Sequence, residues 1–159
     1  MDFEEWYRSA HPRLLAALLA FTGSGELARD CVDEGCMRAV AHWERVGGMA
    51  NPDAWVYRTA INHAKRRLRR AGLERRLLAW SGPPEKVLAG PAGEIWEVVG
   101  MLPLRQRAAI VLRYVVDLPE SQVAEIMGVS RGTVASTLSD ARRRLGAVLS
   151  DDMEGSTHD

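Results

Sequence analysis

The sequence has no apolar run near the roughly 20 residues that a membrane-spanning helix needs, which argues against insertion into a bilayer. The apolar stretch from Leu14 to Phe21 is short. It follows an acidic, aromatic start, so it does not read as a secretory leader. Cysteine is scarce. Cys31 and Cys36 sit five apart in a helical pattern, which is neither metal-ligand spacing nor a disulfide framework. A reduced, cytoplasmic compartment is the expectation. The histidines, His11, His42, His63 and His158, are dispersed, with no carboxylate partner at metal spacing. Gly23 and Gly25 lack the strand and the lysine of a phosphate-binding loop. Serines fall at turns and caps, strand alternation is missing, and no repeat recurs at solenoid spacing. The expectation is a protein that is not an enzyme and has no metal or cofactor.

What the chain does have is apolar residues and a patterned charge. Of its 159 residues 47% are hydrophobic, enough for one ordinary domain or two small ones. The 21 basic and 21 acidic side chains cancel in sum but not in place. Residues 51–76 carry eight basic and two acidic groups, while residues 1–50 carry five and eight. One dense basic segment in a neutral chain implies a localised anionic partner.

The apolar spacing is helical throughout, so the fold class expected is all-α. A helix is expected over Phe3 to Thr22, with Pro12 kinking or restarting it. Gly23, Ser24 and Gly25 make a turn. A second helix over Glu26 to Trp43 points Leu27, Cys31, Cys36, Val40 and Trp43 inward and turns Glu26, Arg29, Asp30, Asp33 and Glu34 outward. That outer face is either a solvated surface or a docking face for a basic partner helix. Glu44 to Asn51 is a loop, after which Pro52 opens a third helix, NPDAWVYRTAINHAKRRLRR, with Asn51 as its cap. Trp55, Ile61 and Leu68 look inward, and Arg58, Asn62, Lys65, Arg66, Arg69 and Arg70 span the remaining surface. A cationic helix with an aromatic start and a mid-face Asn suits a nucleic-acid backbone, with an aromatic to stack on exposed bases.

Residues 73–93 read as a flexible linker, punctuated by Ser81-Gly82-Pro83-Pro84 and Gly90-Pro91-Ala92-Gly93. It separates two small helical domains, 1–72 and 94–149, and residues 150–159 form an acidic tail expected to be disordered. In the second domain a short helix over Glu94 to Met101 precedes one opened by Pro103, whose Ala108, Ala109, Val111, Leu112, Tyr114 and Val115 feed a second core.

The stretch PESQVAEIMGVSRGTVASTLSDARRRL, Pro119 to Leu145, reads as two helices and a short turn. Gly128 supplies the left-handed residue that ends the first, and Ser130 caps the second. Val134, Leu138, Ala141 and Leu145 form one apolar face that packs on Val123, Ala124, Met127 and Val129. This is the layout of a helix-turn-helix, whose second helix can enter a DNA major groove, although an ordinary helical hairpin shares it. Arg131, Thr133, Ala135, Ser136 and Thr137 stand at the front of that helix, where a guanidinium and hydroxyls reach phosphates or base edges.

The segment LPLRQRAAIVLRYVVDLPESQVAEIMGVSRGTVASTLSDARRRL resembles the promoter-binding domain of extracytoplasmic-function sigma factors, of the sigma-70 family of bacterial RNA polymerase. Upstream, ARDCVDEGCMRAV and NPDAWVYRTAINHAKRRLRR resemble that family's amino-terminal domain, so the resemblance covers about residues 3–149. It implies a two-domain adaptor whose second domain is a helix-turn-helix of the winged-helix-like sigma region 4 type. Core RNA polymerase, promoter DNA and an anti-sigma factor are the partners it implies. Asp30, Asp33, Glu34 and Met37 would bind polymerase. Trp55, Arg58, Asn62, Lys65, Arg66, Arg69 and Arg70, with the loop before them, would recognise and melt the minus-ten element. Ser130, Arg131, Thr133, Ser136, Thr137, Arg142 and Arg143 would contact the minus-thirty-five element. This chain departs from the family pattern at Asp33 and Cys36, where Gln and Phe are common, and at Ala135, Thr137 and Asp140, where basic residues are usual. A stand-alone helix-turn-helix regulator and a sigma-like module that titrates an anti-sigma partner are the alternatives.

Overall fold

The computed structural model describes the backbone of residues 1–77 and 97–155, and side chains within 1–72 and 97–147. The chain divides into two compact units, Met1–Val87 and Leu88–Asp159. The expected linker, residues 73–93, lies outside the described residues apart from the helical backbone of 73–77. All regular structure among the described residues is helical.

The first unit contains α1 (Phe3–Thr22), α2 (Gly25–Ala41), a single turn α3 (Trp43–Val46) and α4 (Pro52–Leu77). Asp2 caps α1 by accepting from the Glu5 amide at 2.8 Å, and Gly23 closes it at φ 69° while donating to the Leu19 carbonyl at 2.9 Å. Pro12 neither breaks nor restarts α1, because proline removes a single donor from a helix otherwise held by its buried face. Leu14, Leu18 and Phe21 are 1% exposed or less, and each such side chain contributes about 1.5–3 kcal/mol by leaving water. Ser24 caps α2 through the Leu27 amide at 3.2 Å. That helix stops at Ala41, and Trp43–Val46 makes the separate turn α3 where the sequence reads as helix end and loop. Val40, expected inside, is 50% exposed. Its position lies off the arc of Ala28, Cys31, Val32, Gly35 and Ala39, which the other helices cover.

α2 packs on both α1 and α4. It meets α4 at Gly35, where an added Cβ would stand 3.3 Å from the Ala60 Cβ and 3.3 Å from Val56 Cγ1. Ala28, Ala39, Ala60 and Ala64 are fully buried, so the helices approach along a seam of small residues. Cys31 and Cys36 lie buried as free thiols.

The second unit begins with a helical segment at 97–101. α5 (Leu104–Ile110) follows and runs directly into a π-helical turn, Val111–Val115, closed by the Val116 amide on the Val111 carbonyl at 3.1 Å. Then come α6 (Glu120–Met127) and α7 (Arg131–Gly155). Arg107 donates to the carbonyls of Gly100 and, at 3.3 Å, Leu102, closing the end of the 97–101 turn. Burial lowers the pKa of this guanidinium. Ala108 through Leu112 are all buried, but Tyr114, expected in the core, is 53% exposed. α7 packs on α5 and α6. It continues to Gly155, into the tail read as disordered, because nothing between Leu145 and Gly155 breaks a helix except Gly146.

Two outcomes follow. Gly35→Val should destabilise the chain by roughly 1–3 kcal/mol, since the seam has no room for a branched side chain. Urea unfolding followed by tryptophan fluorescence measures this, and unchanged stability would mean that the helices do not cross so closely. Burial pushes the Cys31 and Cys36 thiols from 9.0 up to about 11, and the Tyr57 phenol from 10.0 up to about 12. These groups ionise later in the folded chain than in the unfolded one, so the stability they contribute is complete below about pH 9 and is lost as pH rises toward 11. The urea midpoint should fall over that window, and the double variant Cys31→Ala, Cys36→Ala should show a shallower fall.

Candidate nucleic-acid interface

In the first unit, α4 sorts its residues cleanly. Ala54, Val56, Tyr57, Ala60, Ile61 and Ala64 are buried on one side. At 100° per residue, Trp55, Arg58, Asn62, Lys65, Arg66, Arg69 and Arg70 share an arc of roughly 140° on the other. Arg58, Asn62, Arg66, Arg69 and Arg70 are exposed, while Trp55 and Lys65 are half-buried. No acid occurs between Ala54 and Leu73 to offset the charge. Trp55, read as inward from the sequence, thus falls near the middle of this arc and is half-buried rather than in the core.

Arg67 lies toward the buried side and pairs with Asp30 of α2 at 3.8 Å. This commits one expected polymerase-contacting acid to an internal pair, though an exposed one worth no more than about 1 kcal/mol. Of the others, Asp33 is exposed, Glu34 is half-buried and pairs with Arg38 at 2.6 Å, and Met37 is 65% exposed. With Val40, Met37 gives α2 an exposed apolar spot beside its acids. The sequence missed Val40 because helical spacing alone does not say how wide a covered arc is.

The segment between α2 and α4 is anchored by aromatics. Trp43 packs against Trp6 and Phe3, with ring centroids 5.2 and 5.3 Å apart. Asn51 caps α4 by accepting from the Ala54 amide at 3.1 Å. Asp53 accepts from the Trp6 indole at 2.6 Å and from Arg13 at 3.2 Å. These contacts join residues 40 and 47 positions apart, which no local pattern reports.

In the second unit the turn is as expected. Gly128 is left-handed at φ 67°, and the Val129 amide donates to the Ala124 carbonyl at 3.1 Å. Ser130 accepts from the Thr133 amide at 3.1 Å. Val134, Leu138 and Ala141 are fully buried. Arg131, Ala135 and Ser136 are exposed at the front of α7, and Thr133 and Thr137 are half-buried. The Ser136 hydroxyl donates to the Thr133 carbonyl at 3.0 Å. Arg142 and Arg143 stand apart from this group. Arg142 donates to the Tyr114 hydroxyl at 2.7 Å, and its guanidinium and that of Arg113 each lie 5.6 Å from the Tyr114 ring centroid. Arg143 pairs with Asp140 at 3.2 Å.

No group of three or more potential metal ligands occurs among the described residues, and no described helix is long and apolar enough to cross a membrane. Residues 6–74 match the family model for sigma-70 region 2, and residues 92–145 match that for sigma-70 region 4. The extracytoplasmic-function RNA polymerase sigma factor SigL of Mycobacterium tuberculosis is 30% identical over 143 residues, covering 84% of this chain and 80% of that one. The chain belongs to the sigma-70 family.

The sigma-70 assignment fits an all-helical structure in two units. An uncharacterized protein of Rhizobium meliloti is 27% identical over 160 residues, but the chain spans only 37% of its length. The sigma factor RpoE of Bartonella quintana, solved in complex with the anti-sigma factor NepR, shares the fold at a TM-score of 0.77 and 24% identity, over 94% of this chain and 97% of that one.

Proposed function

We propose that the chain is an extracytoplasmic-function sigma factor. It binds core RNA polymerase, directs it to particular promoters and helps to open them, without catalysing a reaction of its own. It works in the cytoplasm, where the polymerase is. The observation that carries this reading is that both sigma-70 regions occur in one chain and in order, with the acid-free basic arc of α4 inside the first.

Residue by residue, the acids and apolar spot of α2, Asp30, Asp33, Glu34 and Met37, face the polymerase. The α4 arc runs along the melted minus-ten strand: Arg58, Lys65, Arg66, Arg69 and Arg70 hold phosphates, Asn62 supplies an amide to a base edge and Trp55 a ring to stack on. Ser130, Arg131, Thr133, Ser136 and Thr137 enter the major groove at the minus-thirty-five element. Arg142 and Arg143 act at its flank, with Tyr114 and Asp140 fixing their positions. An anti-sigma factor that covers these faces is a further candidate partner. The internal engagement of Arg142 and Arg143 also favours a second reading, a module whose duplex contacts are weak and which serves mainly to titrate such a factor. Transcription with purified core polymerase separates the two.

The test begins with anisotropy of labelled chain titrated with bacterial core polymerase, and selection of a template from a randomised promoter pool. Tight one-to-one binding and enrichment of a template are expected, and no binding would overturn the reading. The triple variant Arg66→Ala, Arg69→Ala, Arg70→Ala should open the enriched template about tenfold or more slowly. Its affinity for polymerase should change by less than about twofold. An equal loss of polymerase affinity would remove the assignment of this arc to DNA. Ala135→Lys, at an exposed site of α7, should raise affinity for duplex DNA several-fold at low salt and steepen its salt dependence by about one phosphate contact. No gain would mean that this face points away from DNA.

A further inference from the structure

The segment from Gly47 to Asn51 is the exposed connection between α3 and α4, and a single side chain of α1 touches what holds both of its ends. At the first end Gly47 lies under the Trp43 ring: an added Cβ would stand 2.7 Å from Trp43 Cε2 and 2.9 Å from its Nε1. The Gly47 amide also donates to the Trp43 carbonyl at 2.7 Å. The Trp43 ring is set in turn by Trp6, at a centroid distance of 5.2 Å. At the other end Asn51 caps α4, and two residues on Asp53 accepts the Trp6 indole N–H at 2.6 Å. Trp6 itself is 3% exposed, so it has one position to offer. Its ring therefore fixes where the loop begins and its N–H fixes where the loop ends.

We propose that Trp6 is a positioning residue for the 47–51 loop: by bridging Trp43 and Asp53 it holds the loop in the shape that receives an unpaired DNA base at the upstream edge of the melted region. This rests on the reading of the chain as a sigma factor. The physical reason is preorganisation. A loop with two glycines, Gly47 and Gly48, has high conformational freedom in isolation, and ordering it during DNA capture would slow opening. Fastening its two flanks, at Trp43 and Asp53, to one buried ring lowers that freedom beforehand. The hydrogen bond to Asp53 is charge-assisted, which gives it the strength to act as a fastener rather than as one packing contact among many. Arg13, on the same carboxylate at 3.2 Å, helps to orient it.

The test separates the fastener from the core. Trp6→Phe keeps a ring against Trp43 and removes only the donor to Asp53, Asp53→Ala removes the acceptor, and Asp53→Asn restores an acceptor for the indole. Each is assembled with core polymerase on the template enriched by the wild-type holoenzyme, carrying 2-aminopurine at the upstream edge of the minus-ten element. Trp6→Phe and Asp53→Ala should each slow the fluorescence rise by about fivefold or more, with polymerase affinity little changed. The double variant should be no slower than the slower single, because both remove the same bond. Asp53→Asn should recover most of the rate. Opening at the wild-type rate in Trp6→Phe, or additive defects in the double variant, would overturn the proposal while leaving the sigma reading intact. A matching loss of polymerase affinity and stability would reduce Trp6 to a core residue and overturn it as well. Failure of the wild-type holoenzyme to open any template would overturn both.

Discussion

The first unit depends on how closely α2 can approach α4. Gly35 against Ala60 and Val56 sets that distance, with Ala28, Ala39 and Ala64 keeping the seam free of bulk. Interior packing at this density leaves no place for a long or charged side chain between the helices. The acids of α2 and the bases of α4 are therefore forced outward, onto separate surfaces. Asp30 and Arg67 meet only at the margin, 3.8 Å apart with both side chains about half exposed. A looser crossing would let the two charged stripes collapse onto each other. The tight one keeps an acidic, partly apolar face and a basic face available at once, which is what an adaptor between a protein and a polyanion requires.

The same logic of small local devices runs through the second unit. The helix-turn-helix is fixed by one left-handed glycine, one serine cap and the buried Val123, Ala124, Ile126, Val134, Leu138 and Ala141, all within a stretch of about two dozen positions. Each device acts on its immediate neighbours, which is why this element, its turn and most of its buried face were legible in the sequence, although Ile126 is buried where Met127 was expected. So was most of the sorting of α4, Trp55 excepted, because a 3.6-residue period separates Ala60 and Ala64 from Arg66 and Arg70 without help from elsewhere. Family resemblance identified the regions, and the physical reading of the residues agreed with it.

The features that escaped the sequence share a different property: each is decided by residues far away in the chain or by the width of a packed surface. Val40 has the spacing of a core residue but lies beyond the edge of what α1 and α4 cover. Tyr114 follows five consecutive buried residues, a run with no amphipathic period to say where it stops, and the π-helical turn at Val111–Val115 leaves no local mark. Its surroundings come from Arg142, 28 positions on. The bond from Trp6 to Asp53 spans 47 positions and joins a residue that reads as plain core to one that reads as a helix-start acid. Pattern gives each residue a face, and only tertiary structure gives it a partner.

Those partners also divide the electrostatic work between the two units. The second helix of the helix-turn-helix holds Arg142 on a tyrosine and Arg143 on an aspartate, so any phosphate these two met would compete with contacts already made. Asp140 adds a like charge where DNA would approach. On α4 the arc has six basic residues from Arg58 to Arg70 in its neighbourhood and no acid from Ala54 to Leu73. Since each phosphate neutralised on duplex DNA contributes about 0.9 to the salt slope, and about 0.7 on single strands, the unit with the denser run of bases would carry the steeper salt dependence of any DNA binding. On the proposed reading, strand capture at the minus-ten element then carries the larger electrostatic share, and the helix-turn-helix contributes register more than affinity. On that reading selectivity would lie at the step where the duplex opens, where the loop flanked by Trp43 and Asp53 and the basic arc beside it would both have to fit the same unpaired strand.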